Sequence, residues 1–264
     1  MDKGEIDTFK STLKEALIFV FKRQRKEGGF SLTPGLPSTL EDTYHAFKII
    51  EIAKNLCLDT SDFIKDAHKF YLLSKLKEIK KINNKNGYHL FYCLNFLNEK
   101  IFPSPNSLTP NSSPFILEET FYLIKIFEVL NYKPSLSMLP NRELKYDFDG
   151  IIKKRFMALY LDNTFRLNKI SKELAITWVK SCQNCDGGFG FLPGTTSFIE
   201  NTFWAIRALL LLKTPIKNKK IILDYIFSCK TKNGGFSRKE GAAPFLDATF
   251  YGVSVIYYLF IKDK

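Results

Sequence analysis

The chain has few of the residues that staple or metallate a small protein. Among 264 residues there are five cysteines, three histidines, three methionines and two tryptophans. An odd cysteine number argues for reduced thiols rather than a disulfide framework. Cys182-x-x-Cys185 has ligand spacing, but no second pair accompanies it, and a tetrahedral zinc ribbon needs four ligands. It reads as two thiols at a helix end. No apolar run reaches the ~18 residues of a membrane-spanning helix. Residues 1–14 carry Lys3, Glu5, Asp7, Lys10 and Lys14, unlike a secretory leader, so the cytosol is the expected location. The formal charge is +12, yet no DNA or RNA motif stands beside it. The basic runs Lys77–Lys85, Lys153–Arg155 and Lys217–Lys220 read as solvated faces, and no nucleic-acid partner is expected.

What is present is a repeat. Gly28-Gly29-Phe30 recurs as Gly187-Gly188-Phe189 and Gly234-Gly235-Phe236. Fifteen residues after each first glycine stands a threonine beside an aromatic: Thr43-Tyr44, Thr202-Phe203 and Thr249-Phe250. Glu118-Glu119-Thr120-Phe121-Tyr122 repeats the second half alone, and Leu161–Phe165 resembles a decayed fifth copy around Thr164. Thr43 and Thr120 lie 77 residues apart, close to two periods, which places a degenerate unit at 62–100.

Each unit reads as two helices. The first carries apolar residues at 3/4 spacing and stops at the glycine pair: Glu5–Lys26, Lys169–Cys182 and Asn218–Lys230. The second spans Leu40–Cys57, Leu117–Asn131, Ile199–Lys213 and Leu246–Ile261. Ser38-x-x-Glu41 and Ser197-x-x-Glu200 fit capping boxes. Residues Pro103–Pro114 form a long irregular loop. Hairpins of this kind cannot bury their faces alone, so they must stack.

Counted from the threonine, positions −2, +1, +2 and +5 share one helix face. That stripe reads Glu41, Tyr44, His45, Lys48, then Glu118, Phe121, Tyr122, Lys125. The later copies read Glu200, Phe203, Trp204, Arg207 and Asp247, Phe250, Tyr251, Ser254. The opposite face is aliphatic. Ring faces in such number suit an enclosed cavity for an apolar or cationic ligand. His45 is the one histidine on these stripes and the candidate for proton transfer.

The stretch Cys182–Gly194 followed by Glu200–Ala205 resembles the repeat shared by protein prenyltransferase β subunits and squalene/terpene cyclases. Lys232–Phe236 with Asp247–Phe250, and Gly28–Phe30 with Glu41–Tyr44, look like further copies. The resemblance implies an all-α fold, an α/α toroid of about five to six helical hairpins in one domain over 1–264, with 62–116 the degenerate part. It implies isoprenoid chemistry in the central cavity and an α-type partner subunit.

The implied catalytic residues transfer poorly. The family's zinc-binding Asp-x-Cys falls on Glu200-Asn201-Thr202, and its histidine on Asp247. Threonine supplies no thiolate, so zinc is doubtful. Glu200 and Asp247 would instead suit magnesium. The family's diphosphate cations fall on Gly194 and Ser197, while Lys48, Lys125 and Arg207 lie roughly 10 Å deeper along their helices. The cyclase Asp-x-Asp-Asp motif is absent, and Asp147-x-Asp149 reads as a turn.

Three functions follow. The first is a prenyltransferase-like toroid that binds an isoprenoid diphosphate and transfers it. The second is a non-catalytic toroid that binds a lipid, peptide or partner protein. The third is a carbohydrate-active toroid using paired carboxylates. The expected catalytic residues are His45, Glu200 and Asp247. The expected ligand contacts are Tyr44, Lys48, Phe121, Tyr122, Lys125, Phe203, Trp204, Arg207, Phe250 and Tyr251.

Overall fold

A computed structural model describes residues 3–78, 83–99, 101, 117–135 and 150–262. The Pro103–Pro114 loop and Asp147-x-Asp149 lie outside the described residues. Ten α-helices follow one another among the described residues: α1 Lys3–Phe21, α2 Leu40–Asn55, α3 Lys65–Leu76, α4 Asn84–Phe96, α5 Leu117–Val129, α6 Ile152–Phe165, α7 Lys172–Ser181, α8 Ile199–Leu211, α9 Lys219–Ser228 and α10 Leu246–Tyr257. A π-helical turn, Tyr258–Lys262, extends α10. One two-residue ribbon, β1 Phe236–Ser237 paired antiparallel with β2 Pro244–Phe245, precedes α10.

Six helices form a closed inner ring. In order, α2, α4, α5, α6, α8 and α10 each pack on the next, and α10 returns to α2. Outside it, α1 covers α2 and α10, α3 covers α4, α7 covers α8, and α9 covers α10. The fold is the all-α toroid. Its peripheral interface is aliphatic: Ala46, Ile49, Ile50 and Ala53 of α2 and Ala205, Ile206 and Ala208 of α8 are all buried.

The recurring threonine has a specific task. Its hydroxyl accepts the backbone N–H of the Gly-Gly-Phe phenylalanine: Phe30 to Thr43 at 3.0 Å, Phe189 to Thr202 at 3.1 Å and Phe236 to Thr249 at 3.0 Å. The same hydroxyl donates to the carbonyl four residues back, Thr39, Phe198 and Phe245 respectively. A buried N–H and the start of an inner helix are thereby satisfied together. This fixes the fifteen-residue spacing.

The first glycine of the pair has two requirements. Gly187 has φ +89°, and a Cβ there would sit 2.3 Å from the Ile221 carbonyl oxygen of α9. Gly234 has φ +88°, and its Cβ would sit 2.4 Å from the Glu15 carbonyl oxygen of α1. Each hinge thus docks on the backbone of a neighbouring outer helix, and the last hinge docks on the first helix to close the ring. Lys230 adds a 2.9 Å ion pair to Glu15 across the same seam.

The capping boxes do not form. The N-cap of α2 is Thr39, whose hydroxyl accepts from the Asp42 N–H. Ser38 instead donates to the Gly28 carbonyl at 2.7 Å, and Ser197 donates to Asp186 at 2.8 Å. Both serines tie the hinge to the loop rather than capping a helix. Thr164 does not mark a stripe either. It lies at the C-terminal end of α6 and bonds the Tyr160 carbonyl.

Candidate functional site

The six inner helices present the same face to the ring's centre. Besides the four stripes read from sequence, α4 contributes Lys85, Tyr88, His89 and Tyr92, and α6 contributes Lys153, Phe156, Met157 and Tyr160. The spacing is identical: Gly87 and Arg155 stand where the other copies have threonine. Anchoring the pattern on threonine therefore hid two stripes that the −2/+1/+2/+5 aromatic–cation spacing would have found. It also misplaced Lys85 and Lys153, which line the central cavity rather than a solvated face.

Three tiers result. The mouth, at the helix N-termini, is a girdle of ion pairs. Lys85 meets Glu41 at 2.7 Å, Lys153 lies 3.5 Å from Glu118 and 4.0 Å from Glu200, and Arg238 meets Asp247 at 3.0 Å. Glu200 also accepts from the Trp204 indole at 3.3 Å and the Tyr251 hydroxyl at 3.4 Å. The carboxylates proposed as metal ligands are therefore already engaged. Among the described residues no group of three or more His, Cys, Asp and Glu side chains converges as a metal cluster.

The middle tier is an unbroken circuit of rings. Tyr44 packs on Tyr88 at 5.3 Å, Tyr88 on Tyr122 at 5.9 Å, and Tyr122 on Phe121 at 5.2 Å. Phe121 reaches Phe156 at 6.0 Å, Phe156 reaches Trp204 at 5.2 Å, and Trp204 reaches Phe203 at 4.9 Å. Phe203 meets Phe250 at 5.3 Å, and Phe250 returns to Tyr44 at 6.0 Å. Tilted and edge contacts at these separations are the favourable aromatic geometries. The circuit encloses a cavity of about 160 Å³. By volume alone, ~150 Å³ is enough for a guest the size of benzene; here the rings share the lining with lysines, Arg207 and histidines.

Two histidines complete this tier. His45 stacks on Phe250 at 4.9 Å, and His89 stacks on Tyr44 at 4.4 Å. Both rings line the cavity, and the Nδ1 atom of each is buried with no hydrogen-bond partner among the described residues. Burial lowers His45 to about 4, against opposing pulls from Glu41 and Asp247. Burial, aided by His45 and by Lys85 and Lys153, drives His89 well below its usual value. Both are neutral at pH 7. His45 also borders an open groove of about 590 Å³ at the mouth, so it stands between groove and chamber. His68, by contrast, is structural: its Nδ1 accepts the Gly29 N–H at 2.9 Å.

The floor, one to two turns further along the inner helices, is cationic. Lys48 pairs with Glu51 at 2.6 Å, while Lys125 pairs with Glu128, which also holds the Tyr160 hydroxyl. Arg207 lies over three rings, with its guanidinium 4.5 Å from Phe156 and 5.3 Å from both Phe203 and Trp204. All ten expected ligand contacts, and also His45, line the one chamber, whereas Glu200 and Asp247 stay at the mouth.

A family model described as the prenyltransferase alpha-alpha toroid domain matches residues 4–97 and 155–263. The geranylgeranyl transferase type-2 subunit beta of Candida albicans is 29% identical over 90 residues, covering 31% of this chain and 26% of that subunit. The match thus spans about a quarter of the relative's length. The Candida albicans protein geranylgeranyltransferase-I complexed with GGPP superposes over 97% of this chain and 92% of its own, at 14% identity and a TM-score of 0.40. No helix among the described residues is long and apolar enough to cross a membrane. With the repeat hinge, the closed ring and the matched span together, this chain belongs to the prenyltransferase α-α toroid family.

Proposed function

We propose that the chain binds a short isoprenoid in its central chamber. The observation that carries this reading is the closed circuit of rings around a cavity of about 160 Å³. The ring faces offer contact to a branched alkene, while the lysines, Arg207 and the tyrosine and histidine tips that share the lining can meet a polar end of the same guest. The volume suits the first isoprene units, with the rest of a longer chain running toward the mouth. The relative named as a geranylgeranyl transferase β subunit supports both the isoprenoid and an α-type partner subunit.

The donor set does not fit a thiol-activating zinc site. Thr202, at the thiolate position, is committed to the Phe189 hinge at 3.1 Å, and Asp247 is held by Arg238. These residues favour ligand binding without metal-assisted transfer, the second reading, and leave His45 as the histidine that borders the mouth groove. The acid pairs that a carbohydrate-active site would use are instead ion-paired around the girdle.

Thermal-shift titration with geraniol tests the proposal, since a ligand that binds only the folded state raises its stability. A concentration-dependent rise in Tm is expected. Trp204→Phe should weaken that response more than it lowers the Tm of the unliganded protein. A flat response to geraniol, geranyl diphosphate and geranic acid alike would overturn it.

A further inference from the structure

Among the described residues, the floor of the chamber holds more cations than carboxylates. Three cations meet there, Lys48, Lys125 and Arg207, all lining the cavity. Two carboxylates answer them, and each is taken: Glu51 by Lys48 at 2.6 Å, Glu128 by Lys125 and the Tyr160 hydroxyl. Among the described residues no carboxylate pairs with Arg207, whose guanidinium rests on Phe156, Phe203 and Trp204. A half-buried guanidinium against ring faces has lost part of its hydration, and its five fixed donors have nothing charged to grip. Among the described residues the floor therefore holds three cations against two carboxylates, beside the ring-walled chamber.

We propose that this floor is a head-group site, in which Arg207 takes the carboxylate of a short apolar acid lying in the chamber. The inference rests on the isoprenoid-binding reading and specifies its ligand. A single negative charge balances the floor. A diphosphate would carry the enclosed site past neutrality and add anionic charge beside Glu51 and Glu128. The guanidinium matches a carboxylate in a bidentate fork, which a lysine cannot reproduce. The electrostatics of Lys125 agree: burial lowers its pKa, and Arg207 and Lys48 lower it further against the opposing pull of Glu128. An added anion relieves that repulsion. The head then lies at the C-terminal ends of the inner helices, and the chain points up through the rings toward the mouth.

Isothermal titration with geranic acid, geraniol and geranyl diphosphate tests this on the whole chain. These share one hydrocarbon and differ in head group. Geranic acid should bind at least about tenfold tighter than geraniol, the increment expected of a charge-assisted pair. It should also bind tighter than the diphosphate. Arg207→Gln should remove the preference for acid over alcohol, read as the ratio of the two affinities on the same variant. Should Arg207→Gln not fold, methyl geranate on the wild-type protein provides the second readout, because the ester keeps the hydrocarbon and removes the charge, and with it the acid's advantage. Equal affinity for acid and alcohol, a preference that survives Arg207→Gln or methyl esterification, or tightest binding of the diphosphate overturns the head-group site. In those outcomes the isoprenoid reading stands. Failure of all three ligands to bind overturns both.

Discussion

The ring is made of two kinds of unit that do the same job differently. Around α2, α8 and α10 the chain uses a Gly-Gly-Phe hinge locked to a threonine hydroxyl. Around α4, α5 and α6 the sequence has no Gly-Gly pair, and the threonine position reads Gly87, Thr120 and Arg155. Yet all six helices send the same stripe inward. The hinge is thus one solution to docking an outer helix, whereas the inward aromatic and charged face is what every unit supplies. The chamber is the common product, and the hinge is local engineering.

The largest effect should come from breaking a hinge. In Gly187→Ala the new methyl would meet the Ile221 carbonyl oxygen at 2.3 Å, on a backbone at φ +89°. A loss of roughly 4 kcal/mol or more is expected in urea unfolding. Gly87→Ala in the hinge-free half should stay within about 1 kcal/mol, because it sits in regular helix and gains helix propensity. Its Cβ would meet only the tip of Ile126, at 3.2 Å. Equal losses at the two sites would erase the distinction between the units.

Acid should act next, and on both kinds of unit, because the buried histidines are shared between them. His45 and His68 are lowered to about 4, and His89 lies well below its usual value, all by burial first. In the unfolded chain each protonates near ~6.5. The folded state resists that proton until about pH 4, so stability is complete above ~6.5 and falls as the pH drops through that window. His45 alone accounts for on the order of 3 kcal/mol, at ~1.4 kcal/mol per pH unit. His45→Phe should therefore lose less stability than the parent between pH 7 and pH 4.5, measured by urea midpoints. An unchanged pH slope would show that His45 is not held neutral.

A smaller loss should follow Thr202→Val, which keeps the shape but leaves the Phe189 N–H buried and unpaired. About 2 kcal/mol is expected, the cost of an orphaned buried donor. The smallest belongs to the girdle. Lys85→Met removes the 2.7 Å pair to a half-exposed Glu41 and should cost no more than ~1 kcal/mol.

How much of this was legible in the sequence follows the same division. The glycine pairs, the fifteen-residue threonine spacing and four stripes were readable because they depend on local periodicity. The stripes of α4 and α6 were missed because Gly87 and Arg155 replace the landmark threonine, although Tyr88, His89 and Phe156 keep the spacing. The burial of Lys85 and Lys153 is not legible, because a charge run on one helix says nothing of the acid facing it from the next. Ser38 and Ser197 mimic capping boxes, but their hydroxyls face the hinge, a contact set by the returning loop. The chamber's size depends on rings from six helices meeting at the axis, which no window of sequence contains.

The central claim is that the rings enclose a ligand chamber, and Trp204 can report on it directly. The chain has two tryptophans, and Trp178 packs under Arg155 away from the chamber. In Trp178→Phe, Trp204 becomes the sole indole emitter. Titrating that variant with geraniol should give a saturable change in Trp204 emission that fits one site. Emission that stays flat, or drifts linearly without saturation, while the protein remains folded would contradict the chamber.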